Sequence, residues 1–126
     1  MLSDVSVVSR RFQRYFFEGA ACMEISKRDW KLFREKISEW QESYMERLSQ
    51  EYIELLSGNG SASDRFWALE ERIKQDRSKP GVLVEMTKSK VIWNIIALIQ
   101  DGTITMNDLN DFSDDLKDAV SFFLNH

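Results

Sequence analysis

One cysteine, one histidine and one proline among 126 residues narrow the chemistry open to this chain before any pattern is read. Cys22 alone makes an intramolecular disulfide impossible and cannot furnish a thiolate cage for zinc or an iron-sulfur cluster, which is the expectation for a protein of a reducing compartment, the cytoplasm. A Cys-His nucleophilic pair would have to join Cys22 to His126, a terminal residue expected to fray. The Glu-x-x-His pairs that build carboxylate-bridged metal sites in helical bundles have no counterpart. Long apolar runs are lacking too. The longest, VIWNIIALI, is interrupted by Asn94, whereas a membrane span takes about 20 residues. The opening MLSDVSVVSRRFQRYFF places Asp4 ahead of its arginines and offers no apolar stretch with a small-residue cleavage site, so it is not read as a secretory signal.

What is present is hydrophobic material in helical rhythm. Apolar residues make up 43% and charged residues 30% of the chain, a balance that folds rather than one that stays disordered. A chain of this length buries about two-thirds of its unfolded surface around one core. The charge of −4 is uneven: residues 1–100 carry sixteen basic and fifteen acidic side chains, the last 26 one and six. Phosphate repulsion makes that C-terminal part a poor surface for nucleic acid.

The spacing predicts a first helix over residues 4–18, where Val5, Val8, Phe12, Tyr15 and Phe16 share one side and Arg10, Arg11 and Arg14 the other. Trp30, Phe33, Ile37, Trp40, Tyr44, Leu48, Tyr52 and Leu55 then recur at steps of three and four. Three successive steps of four follow the 3.6 period of a straight helix rather than the strict heptad of a coiled coil. Such a helix, about 28–57, is about 45 Å long, against a domain about 36 Å across, so it protrudes, bends or meets a partner. A helix over about 62–77 presents Phe66, Leu69 and Ile73 with Trp67 beside them, behind the capping pattern Ser61-x-x-Asp64. Pro80-Gly81 interrupts. Val82 to Met86 has strand-like content without a partner strand and reads as an extended connector or an irregular first turn. A helix over about 88–100, apolar on most sides, is expected to be the buried centre, with Trp93 in its middle.

The stretch IQDGTITMNDL resembles the second half of a calcium-binding loop. With Gly102 at the sixth position, Asp101, Thr103, Thr105 and Asp108 are tolerable oxygen donors, but the first and third positions become Ala97 and Ile99. Hydrocarbon cannot replace two carboxylate or amide ligands. A helix stop at Gly102 followed by a Thr105–Asp108 capping box, bracketed by Ile104 and Leu109 as a hydrophobic staple, accounts for more residues. ISKRDW, residues 25–30, repeats the same cap, box and staple. Ser113, with Asp114 and Asp115 behind it, restarts a helix after a corner.

The expected fold is therefore all-α: a single-domain helical bundle, residues 1–126, of five or six helices, with the long helix as its spine. No cofactor and no metal site is expected. The favoured function is a protein-protein interaction or regulatory role without catalysis, through a protein partner or self-association. The residues singled out as its surface are Arg10, Arg11, Arg14, Trp67, Asp111, Asp114, Asp115 and Asp118, Trp67 because it departs from its helix's main stripe. A small-molecule-binding protein or carboxylate-metal enzyme using the late aspartates is the alternative, and nucleic-acid binding through the three arginines the third reading.

Replacing Thr105 by alanine is expected to cost about 1 kcal/mol and to leave thermal stability indifferent to calcium. A calcium-dependent rise in Tm that disappears in Asp101→Asn or Asp108→Asn would establish a metal loop instead.

Overall fold

Ser26 opens the long helix by accepting the Asp29 amide on its hydroxyl at 3.0 Å, satisfying one of the amides that a helix start leaves without a carbonyl. In the computed structural model, which describes residues 24–125, helix α1 then runs unbroken over Lys27–Leu56, about 45 Å at 1.5 Å per residue. No glycine or proline falls within it, and Gly58 lies just beyond its end. Its stripe buries Phe33, Ile37, Trp40, Tyr44 and Leu48, while Trp30, Tyr52 and Leu55 are half-buried. The predicted helix over residues 4–18, with Arg10, Arg11 and Arg14, lies outside the described residues, as do Cys22 and His126.

Helix α2, Ala62–Asp76, begins at Ser61, whose hydroxyl accepts the Asp64 amide at 3.1 Å. It runs antiparallel to the far half of α1: Arg65 reaches the Leu56 carbonyl, Arg72 reaches Glu51, and the next turn meets Gln41, whose side-chain amide donates to the Pro80 carbonyl at 3.1 Å. There Gly81 lies against the Tyr44 ring so closely that an added Cβ would fall 2.3 Å from it. Only a residue without a side chain permits that approach.

Residues 83–87 form neither helix nor strand, and no strand occurs among the described residues. The connector is held by the Asn94 side-chain amide, which donates to the Glu85 carbonyl at 2.9 Å. A 3-10 turn, Lys88–Lys90, leads into α3, Val91–Gln100. This helix is the apolar centre, but through Val91, Ile92, Ile95, Ile96 and Leu98. Trp93, expected in the middle, is instead half-buried at the margin, packed on Phe123 with ring centroids 5.0 Å apart. A helix apolar on nearly every side does not reveal which side is innermost, and the branched aliphatics fill the tightest space.

Gly102, at φ 77°, closes α3. Its amide donates to the Ile99 carbonyl at 3.0 Å and the Thr103 amide to Leu98 at 2.9 Å, the paired bonds of a Schellman ending. Ile104 and Leu109 are both buried, and between them the Asp108 carboxylate accepts the Thr105 amide at 2.8 Å and its hydroxyl at 3.3 Å, within the expected capping box. The box opens a single 3-10 turn, Met106–Leu109, and a corner then separates that turn from helix α4, Asp114–Leu124.

The second capping pattern, ISKRDW, forms differently from its sequence reading. Both Asp29 oxygens accept from Ser113, 84 residues on: the amide at 3.0 Å and the hydroxyl at 2.5 Å. Ser113 Oγ in turn accepts the Leu116 amide at 3.2 Å and so caps α4. Asp29 is 1% exposed. The first turn of one helix is thus bonded to the cap of another, beside a core in which Phe33, Ile37 and Trp40 of α1 meet α3, Ile104, Leu109, Phe112 and Leu116, Ala119 and Val120 of α4.

Asp29→Ala strands the Ser113 amide and removes a charge-assisted bond, an expected loss of about 3 kcal/mol in urea denaturation at an unchanged slope. Asp29→Asn, which keeps one acceptor, is expected to lose less. A loss below about 1 kcal/mol for alanine would show that water replaces the carboxylate freely.

Candidate interaction surface

Helix α2 has two stripes, and the side it turns toward α1 is the polar one. Arg65, Arg72 and Asp76, spaced by seven and four residues, share a face, with Leu69 at its border. From that face Arg65 donates to the Leu56 carbonyl at 2.8 Å. Arg72 pairs with Glu51 and, through Nε, with Asp76 Oδ2 at 3.0 Å. The same Asp76 oxygen accepts the Tyr52 hydroxyl at 2.7 Å, and the Arg72 guanidinium lies 5.7 Å from the Tyr52 ring centroid. Asp76, 7% exposed, is the single buried residue of the helix.

Electrostatics stem from this arrangement. Burial, then the hydrogen bond to Asp76, pushes the Tyr52 phenol up to about 12. Burial, then the Asp76 charge, also raises Tyr44. The bond to Glu51 raises the Arg72 guanidinium above its ordinary range against the opposing effect of burial. The seam is a donor-acceptor chain, Tyr52 to Asp76 to Arg72 to Glu51, that binds the hairpin by charge and hydrogen bonding, while Ile73 lines a groove beside it with Met45 and Leu48 of α1.

The apolar stripe of α2 consequently faces outward. Phe66 is 60%, Trp67 62% and Ile73 43% exposed. Phe66 and Trp67 meet edge to face with centroids 4.9 Å apart, an arrangement that aromatic pairs favour. Phe66, Leu69, Glu70, Ile73, Lys74 and Arg77 line an open groove of about 320 Å³. A second groove of about 240 Å³, between α1, α2 and Val82, is below the roughly 300 Å³ at which small-molecule sites begin. Leaving an aromatic side chain in water forfeits about 1.5–3 kcal/mol of burial, a cost that the polar seam on the other side of the helix has to offset.

The other residues singled out in the sequence lie elsewhere. Asp111, on the corner, pairs with Lys36 at 3.6 Å, and Asp114 with Lys117 at 3.5 Å, both with exposed carboxylates. Asp115 and Asp118 are half-buried on α4 and engaged. Among the described residues no three metal-capable side chains are grouped to hold an ion. The calcium-like stretch would have to begin inside α3, since Ala97 and Ile99 are helical. No helix among the described residues is long and apolar enough to cross a membrane. The chain matches no protein-family model, no curated protein and no solved structure.

Sequence reasoning misses the polar seam, although Arg65, Arg72 and Asp76 stand at helical spacing beside the apolar stripe. Because Tyr52 titrates near 12 folded and near 10 unfolded, its contribution is complete below pH 10 and is lost as pH rises through 12. Tyr52→Phe is expected to flatten the fall in stability over that interval, measured by denaturation at stepped pH. An unchanged slope would mean that the phenol is equally free in both states.

Proposed function

We propose that this protein acts by docking to another protein surface, in the cytoplasm, without catalysing a reaction. The observation that supports the reading is the orientation of α2, whose charged side is turned in and whose Phe66, Trp67 and Ile73 are turned out. Tryptophan and arginine are the side chains that most often dominate binding energy when a partner desolvates them; Trp67 is exposed against Phe66, and Arg77 lines the groove. Glu70 and Lys74 supply a polar rim along the same groove. The stripe, spaced three and four residues apart, suits a partner that offers a helix or a groove. The acidic side chains of the corner and of α4 give a basic partner a further place to steer toward.

Trp67→Glu and Phe66→Ala remove exposed surface, so each is expected to change stability by no more than about 0.5 kcal/mol while abolishing co-purification of a binding protein. Partner capture that survives both substitutions in a normally folded protein would place the docking surface elsewhere.

A further inference from the structure

Building on the docking reading, we infer that the occupant of the α2 face is a second copy of the same chain, its α2 lying antiparallel across a twofold axis at position 72. The charges of the face are arranged for this. Glu70 and Lys74 stand equally far on either side of position 72, and so do Trp67 and Arg77. A twofold contact makes every pairing twice, residue i of one copy on j of the other and j on i. In the antiparallel register Glu70 therefore meets the partner copy's Lys74, and Trp67 the partner copy's Arg77, an ion pair and a cation–π contact that the symmetry duplicates. Ile73, next to the axis, packs near its own equivalent.

The side chains that would spoil this pattern are occupied inside the protomer. Arg65 is committed to the Leu56 carbonyl, and Arg72 and Asp76 to each other, Glu51 and Tyr52. A parallel pairing would set Glu70 against Glu70 and Lys74 against Lys74, which like-charge repulsion opposes. Area is consistent with a reversible dimer. Phe66, Trp67 and Ile73 at their observed exposure offer on the order of 300 Å² of apolar surface, and Leu69 with the stems of Glu70, Lys74 and Arg77 brings each copy to about 500 Å². The total approaches the lower bound of about 1,000 Å² for a specific interface, so association depends on concentration.

Sedimentation equilibrium of the full chain and its charge variants tests the register. Glu70→Lys and Lys74→Glu, each alone, place like charges at both duplicated contacts and are expected to weaken dimerisation at least tenfold with helical content unchanged. Mixing the two variants sets lysine against glutamate at both contacts and is expected to restore a dimer, which contains one of each. Monomers at every concentration for the wild type overturn the inference, as does a dimer insensitive to both reversals or a mixture that stays monomeric. In any of those events, loss of a captured protein in Trp67→Glu still upholds the docking reading, so the two failures are distinguishable.

Discussion

A carboxylate taken out of water must find donors, and Asp29 finds both of its own in Ser113. This one requirement joins the start of the first described helix to the start of the last. Because Ser113 also caps α4, the direction of that helix is bound to the register of α1. Between them α3 has nowhere to lie except across the Phe33, Ile37 and Trp40 side of the spine. Apolar packing supplies the bulk of the attraction, but it tolerates sliding. The two bonds to Ser113 do not, since a shift of one residue would leave a buried charge with no partner.

The spine serves two unlike neighbourhoods. Its first half meets a core of aliphatic and aromatic side chains that excludes water, and its second half meets α2 through Tyr52, Asp76, Arg72 and Glu51. Ion pairs that keep partial contact with solvent contribute modestly, so the seam adds less per contact than the apolar core does. A helix in that position is free to expose its rings because the core does not depend on them.

Local grammar is legible in this chain and long-range commitments are not. Ser26, Ser61, Thr105 and Ser113 announce helix starts because a cap acts within three residues, and each begins a helical turn in the structure. Gly102 announces a stop for the same reason. Asp29 looks like a local box residue, and no spacing rule separates a carboxylate that turns back three residues from one that reaches Ser113. Trp93 reads as central because α3 is apolar nearly all round, and amphipathicity carries no direction when both sides qualify. In α2 the pattern is ambiguous for the opposite reason: an apolar and a polar stripe coexist, and which one meets α1 depends on Glu51 and Tyr52, on another helix. Trp67 stands out from its helix in the sequence and stands exposed in the structure. The residues named on the first 23 positions lie outside the described residues.

The contact of Gly81 with the Tyr44 ring closes the hairpin at its base. Helix α2 extends about 22 Å from that point at 1.5 Å per residue, and near its tip it is joined to α1 by a short turn and the Arg65 bond to the Leu56 carbonyl. The helix is therefore held at both ends and along the seam between them, so Phe66 and Trp67 are offered from a helix whose place against the spine is set. Position 81 is buried away from the exposed rings, yet a side chain there would press on the Tyr44 ring of the helix against which α2 rests.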